Sequence, residues 1–193
     1  RPYIEAGGVG VFIPAGTFLQ PSKEGQAALT ALVLKYLGKT SGKIADLFCG
    51  VGTFSYPLAQ KPGNRVLAVD ASKELLEGFK NSVNRQMIAN IEIVCRNLFK
   101  YPLEGAELEG LAAVVFDPPR AGAKEQAVRL AAQPAGKRPR KLIAVSCNPE
   151  TFARDAEILQ NGGYRLCEVT PVDQFVYTSH CELVALFVDE GLL

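Results

Sequence analysis

From residue 43 onward, short apolar runs alternate with longer amphipathic stretches, and this rhythm constrains the fold more than any other feature of the chain. Strand-like runs occupy 43–48, 65–70, 91–95, 112–117 and 141–146. Between them the spacing of apolar residues predicts helices near 53–60, 72–86, 98–104 (the weakest), 124–133 and 149–161. Such alternation means a parallel sheet with crossover helices, and runs that are apolar almost throughout suit strands covered on both faces. At the C-terminal end the rhythm breaks. The segments 164–172 and 182–188 are both strand-like, and the nine residues between them carry no helical pattern. A parallel crossover needs a longer connection, so these two strands are expected to pair antiparallel.

An α/β sheet that is mostly parallel and closed by a C-terminal antiparallel hairpin is unlike the usual dinucleotide-binding arrangement. It is similar to the Rossmann-like layout of class I S-adenosylmethionine-dependent methyltransferases. Residues 1–20, rich in glycine and β-formers, are read as extended structure. Ser22 then caps a helix running to about Leu37, with Gly38 as its stop. Residues 1–40 are thus expected to lead into one compact unit over 41–193.

Composition narrows the class. With 193 residues and 48% hydrophobic content, the chain can fill the core of one domain. No apolar run is long enough to cross a bilayer and no signal segment opens the sequence, so a cytoplasmic location away from membranes is expected. The chain opens on Arg1 rather than Met, and an N-terminal part of the natural protein is expected to precede it. Five cysteines, an odd number with no CxxC spacing, indicate neither a disulfide framework nor a zinc site, and no metal is expected. A formal charge of +1 lacks the basic excess of a free-standing nucleic-acid binder. The run Lys137–Lys141 is read as a solvated loop.

Chemistry begins with Asp46-Leu47-Phe48-Cys49-Gly50-Val51-Gly52-Thr53-Phe54, which follows the first strand of the rhythm and opens a helix. Gly50 and Gly52 let the backbone approach a ligand closely. Asp70 closes the next strand, where a carboxylate can accept both ribose hydroxyl protons. A pyrophosphate-binding turn needs a third glycine, and Ser55 stands there instead. S-adenosylmethionine, which has no pyrophosphate, is therefore preferred to NAD.

The strand at 112–117 ends in Asp117-Pro118-Pro119-Arg120, a stiff lip beside a cleft. Related Asp/Asn-Pro-Pro motifs that hold an amino nitrogen carry an aromatic residue where this chain has Arg120, which argues against such an acceptor. Cys147, in Ser146-Cys147-Asn148-Pro149, follows a strand and precedes a helix whose positive end favours thiolate. Cys95 and Cys167 are read as small buried hydrophobes, and neither Cys49 nor Cys181 occupies a place that requires a nucleophile. A methyltransferase needs a thiolate where carbon is a weak nucleophile. Addition at C6 of uracil makes C5 an enolate carbon, and a base must afterwards remove the C5 hydrogen.

Val172-Asp173-Gln174-Phe175-Val176-Tyr177-Thr178-Ser179-His180-Cys181-Glu182 supplies a candidate for that base at the start of the last strand. At this point the sequence resembles the RNA 5-methyluridine methyltransferase family. The resemblance is carried in order by FLQPS (18–22), DLFCGVGTF (46–54), FDPPRAGA (116–123), SCNPETFARD (146–155) and PVDQFVYTSHCE (171–182). It implies methyl transfer from S-adenosylmethionine to C5 of a uridine in RNA, with Cys147 as nucleophile and Glu182 as base. It also implies that Gln20, Phe48, Asp70 and Asp117 hold the cofactor, joined by Gly50, Gly52 and Thr53 of the same loop. His180, the single histidine, is the alternative base; the family pattern favours Glu182 and leaves His180 a supporting or structural role. The expected partner is RNA, ribosomal in preference to transfer RNA, with no membrane and no obligate protein partner. An RNA-binding domain of the full protein is expected outside these residues. Ser22 stands where the family usually has Asn, and Asn97 where Asp is common, so neither is taken as a site.

Two rival readings remain in view. An RNA cytosine-5 methyltransferase shares the adduct chemistry but places a cysteine in the motif where this chain has DPPR. A catalytically silent nucleotide- or RNA-binding module leaves the joint presence of thiol, acid and proline lip unexplained.

Overall fold

The structure is a computed structural model, and it describes residues 3–6, 8–12, 23–173 and 182–192. The hairpin of β1 (Tyr3–Ala6) and β2 (Val9–Phe12) comes first, turning at Gly8 with φ +76°. Val11 of β2 is fully buried in the main core. Helix α1 (Lys23–Leu37) follows and stops at Gly38, whose φ of +60° is left-handed, as the sequence predicts. The expected cap Ser22 lies outside the described residues.

The remaining elements are β3 (Lys43–Leu47), α2 (Ser55–Gln60), β4 (Arg65–Asp70), α3 (Lys73–Arg85), β5 (Ile91–Cys95), β6 (Leu111–Phe116), α4 (Lys124–Ala131), β7 (Lys141–Ser146), α5 (Pro149–Asn161), β8 (Tyr164–Val172) and β9 (Glu182–Asp189). They build a seven-stranded sheet in the order β5-β4-β3-β6-β7-β9-β8. The strands β5 to β7 pair parallel, and β9 inserts antiparallel between β7 and β8. The parallel sheet with a closing antiparallel hairpin is therefore as expected.

Strand side chains alternate between two cores. Ala113 and Val115 of β6 join α1, α2 and α3 on one face. Val114 and Phe116 join α4 and α5 on the other. The chain travels outward through β3, β4 and β5, then returns to place β6 on the other side of β3. The loops after β3 and β6 consequently diverge, and a crevice opens where the order reverses.

Three expectations change. No α-helix forms over 98–104: Asn97 Oδ1 accepts the N–H groups of Phe99 and Lys100 (3.0 and 3.3 Å), and the turn passes into a 3₁₀ helix at Gly105–Glu107. Pro102 has no N–H to continue a helix. The run Lys137–Lys141 is a solvated loop only in part: Lys137 and Arg140 are exposed, but Arg138 and Lys141 are engaged by the fold. Arg138 lies 5.5 Å over the Tyr164 ring, donates to the Gly162 carbonyl and faces Asp189 at 3.7 Å, while Lys141 donates to the carbonyls of Tyr36 and Leu37 (both 3.1 Å) at the end of α1. Cys95 and Cys167 are exposed, because β5 and β8 are the two edges of the sheet.

Candidate functional site

Asp46, next to last in β3, is fully buried and accepts from Ser55 Oγ at 2.5 Å, which ties the start of α2 to the strand beneath it. Burial pushes its carboxyl up to about 7, with the nearby Asp70 adding to the rise and Ser55 opposing it. Between the two ends of this tie the chain makes its tight loop. Phe48 has φ +60°, a left-handed conformation that costs a side-chain-bearing residue roughly 1–2 kcal/mol. Gly50 has φ +54°, and no atom lies within 4 Å of where a Cβ would point. Gly52 differs: a Cβ there would meet the Phe79 ring at 2.5 Å, so this glycine serves close packing against α3.

Asp70 closes β4 beside that loop. Its Oδ2 accepts the Gly50 N–H at 2.9 Å and its Oδ1 accepts the Ser72 N–H at 2.8 Å. Each oxygen retains a lone pair for a ligand hydroxyl.

On the other side of the crevice, Asp117 follows β6, and its N–H donates to the Leu47 carbonyl at 3.2 Å. Burial pushes the Asp117 carboxyl up to about 8, reinforced by Glu182 and then Asp46. The DPPRAGA segment is locked to the start of α5. Asn148 Nδ2 and Thr151 Oγ1 donate to the Arg120 carbonyl (both 3.1 Å), and Arg154 donates to the Ala121 carbonyl (3.0 Å). Buried Asp155 accepts the Ala123 N–H at 2.6 Å. A Cβ on Gly122 would come within 2.7 Å of Arg154 and Asp155, so the two motif segments touch without room for a side chain.

Cys147 lies between β7 and α5, half-buried, just before Asn148, whose Oδ1 caps α5 by accepting the Glu150 N–H at 3.0 Å. The expected pull of that helix end toward thiolate is outweighed. Burial pushes the Cys147 thiol up, Glu182 and Asp117 push it further, and Arg120 only partly opposes them. Glu182 opens β9, is buried, and is itself pushed up by burial.

One cavity of about 580 Å³ connects these groups. Phe48, Gly50, Thr53 and Asp70 line it together with Asp117, Cys147 and Glu182. That volume is in the usual range for an organic ligand. Gly52 stands behind the wall. Gln20, His180 and Cys181 lie outside the described residues. The cavity also takes in Gln26 of α1, Arg96, Leu98, Phe99 and Arg120, which the sequence alone does not single out as ligand-holding. Phe99 packs against Phe48 with ring centroids 5.4 Å apart. The interleaved basic and aromatic residues of 96–101 are the one sequence signal for this wall. Among the described residues no cluster of His, Cys, Asp and Glu could hold a metal ion.

Comparison with known proteins gives a consistent result. The family model described as tRNA (Uracil-5-)-methyltransferase matches residues 12–189. An RNA methyltransferase of Brucella melitensis, itself described as uncharacterized, is 47% identical over 187 residues, covering 96% of this chain and 43% of the relative. The 23S rRNA (uracil(1939)-C(5))-methyltransferase RlmD of Shewanella amazonensis is 34% identical over 187 residues, 96% of this chain and 41% of that protein. The chain thus spans less than half the length of these curated relatives. Among solved structures, the Pyrococcus abyssi tRNA (uracil-54, C5)-methyltransferase in complex with S-adenosyl-L-homocysteine matches with a TM-score of 0.80 at 30% identity, over 97% of this chain and 45% of that one. With the family model spanning nearly all of the residues, the chain belongs to the tRNA (uracil-5-)-methyltransferase family.

Proposed function

We propose that this chain is the catalytic part of an enzyme that transfers a methyl group from S-adenosylmethionine to C5 of a uridine in RNA. One observation carries the reading: a carboxylate-and-glycine cradle and a thiol paired with an acid open onto the same cavity of about 580 Å³. Family membership supports it, as do the activities of the Shewanella and Pyrococcus relatives.

The residues suit this donor. Asp70 has lone pairs for two ribose hydroxyls, Gly50 leaves its side of the loop open, and Phe48 with Phe99 offers aromatic surface to a purine. Thr53 and Asp117 extend the same wall, and we assign Gln20 to the cofactor on the family resemblance. The bound donor supplies an electrophilic methyl group.

Cys147 as thiolate adds to C6 of the uracil, which saturates the 5,6 double bond and places an enolate carbon at C5. Its thiol proton passes to solvent or to a cavity carboxylate on the way. C5 would then take the methyl group as the sulfonium–methyl bond breaks, with S-adenosylhomocysteine as the leaving group, while C5 still bears its hydrogen. Glu182 removes that proton, the electron pair re-forms the double bond, and the sulfur leaves C6. Ribosomal RNA is the substrate class we assign first, because the named relative acting on it is 34% identical against 30% for the transfer-RNA enzyme.

A tritium-release assay tests the reading. RNA labelled at uracil C5 should release tritium when enzyme and donor are both present. Release from cytosine C5 alone would transfer the assignment to the cytosine rival, and no release from either base would remove the enzymatic reading.

A further inference from the structure

The segment after β5 has no regular helix, yet it is pinned along its whole length. Arg96 does most of this at the near end. Its N–H continues the ladder to the Asp70 carbonyl at 2.8 Å, so its backbone is fixed beside the cradle. Its guanidinium then reaches forward along its own chain. Nε donates to the Tyr101 carbonyl at 2.6 Å and one terminal nitrogen to the Pro102 carbonyl at 2.7 Å. Both terminal nitrogens grip the Glu107 carboxylate, at 2.5 and 3.1 Å. That contact holds the Glu107 carboxyl below its usual range. Glu107 also accepts the Glu104 N–H as part of a capping box.

The far end of the segment has a separate anchor. Gln126 of α4 satisfies both the N–H and the carbonyl of Leu103 at 2.9 Å, and Gln133 donates to the Gly105 carbonyl at 2.6 Å. The two anchors enclose a short arch, residues 97–102. Leu98 of this arch is buried, whereas Phe99 is 43% exposed and rests on Phe48 at the cavity wall. Its ring is thus placed by the arch at the cavity wall, packed on Phe48, with one part of its surface left open to a ligand.

We propose that the Arg96–Glu107 clamp is a positioning device that holds Phe99 against Phe48, so that the pair grips the purine half of the cofactor. The inference rests on the reading of the cavity as a methyl-donor site. A guanidinium suits this role because its planar fork engages two carbonyls and a carboxylate at once, which an ammonium cannot reproduce. Releasing the arch leaves the Gln126 and Gln133 anchors in place, so the fold survives while Phe99 loses its setting.

Calorimetric titration with S-adenosylhomocysteine tests this on the whole chain. Arg96→Ala and Phe99→Ala should each raise Kd by about tenfold, as expected for the loss of one base–aromatic stack. Because Arg96 acts through Phe99, the double variant should bind no worse than Phe99→Ala alone. Arg96→Lys should retain most of the defect, and in methyl transfer the donor KM should rise with kcat nearly unchanged. Unchanged Kd in Arg96→Ala, additive losses in the double variant, or full rescue by lysine would each overturn the clamp. A parent protein that bound no S-adenosylhomocysteine would overturn the donor-site reading as well, which separates the two failures.

Discussion

Cys147 and Glu182 lie one step beyond a register pair: Ser146 of β7 stands opposite Leu183 of β9, and the next residue on each side is the thiol or the acid. Glu182 is held there by its own pairing with Val172 of β8. An antiparallel strand inserted beside β7 thus brings a side chain from the end of the chain level with the loop that carries Cys147. A parallel strand in that position would have started level with the beginning of β7, at the opposite end of the strands.

That juxtaposition predicts two different failures. Cys147→Ser should bind cofactor normally and form no covalent complex with RNA. Glu182→Gln should carry out addition and a single methyl transfer, then hold the RNA because the C5 proton stays in place. Denaturing gels and intact mass should find a methylated protein–RNA adduct only in the Glu182→Gln sample. Turnover of Glu182→Gln at the parent rate would remove its role as base.

Asp70→Ala should weaken S-adenosylhomocysteine binding by about 2–3 kcal/mol, the scale of a lost pair of charge-assisted hydrogen bonds. Part of the loss comes through the loop, since the Gly50 and Ser72 N–H groups also lose their acceptor. Asp70→Asn, which keeps one acceptor oxygen, should lose less. Calorimetry showing equal affinity for Asp70→Ala and the parent protein would exclude this carboxylate from the site.

The raised Cys147 thiol predicts a pH dependence. A thiol whose pKa is pushed up carries less thiolate at neutral pH, so its alkylation by iodoacetamide should be slow and continue to climb above the pH range where an ordinary thiol has levelled off. Exposed Cys95 and Cys167 should react first. Glu182→Gln removes a negative charge that favours the protonated thiol, so Cys147 labelling should speed up by about threefold at fixed pH. Peptide mapping by mass distinguishes the cysteines, and slower labelling in the variant would reverse the assigned sign.

Asp155→Ala should destabilise the fold by about 2–4 kcal/mol in urea unfolding, because it strands a buried N–H and releases the Arg154 guanidinium. Asp155→Asn, which preserves an acceptor for Ala123, should cost less. An Asp155→Ala loss below about 0.5 kcal/mol, within the range of ordinary surface substitutions, would show that the DPPRAGA lock contributes nothing to stability.

Much of this was legible because strand and helix periods are local. The five parallel strands, the helices flanking them and the final antiparallel pair each announce themselves in the spacing of apolar residues. The region 98–104 did not, because Leu98 and Leu103 are buried from an arch rather than from a helix face, and a few apolar residues without clear periodicity do not distinguish the two. Likewise Arg138 carries a charge that composition assigns to solvent, whereas Tyr164 and Asp189, distant in the chain, supply it with a ring and a counter-charge.

By itself the sequence determined the order of elements, the glycine loop, and which side chains were chemically able to act, since those depend on residue type and short spacing. Tertiary structure alone decided what each group meets. Burial among Asp117 and Glu182 raises the Cys147 thiol although its helix position favours thiolate, and the sheet edges expose Cys95 and Cys167. It also decided that Gly52 packs on Phe79 while Gly50 opens to the cavity. The physical reason is the same in each case: desolvation, Coulomb coupling and steric clearance depend on distances through space, and the topology sets these only after strands far apart in the chain have become neighbours.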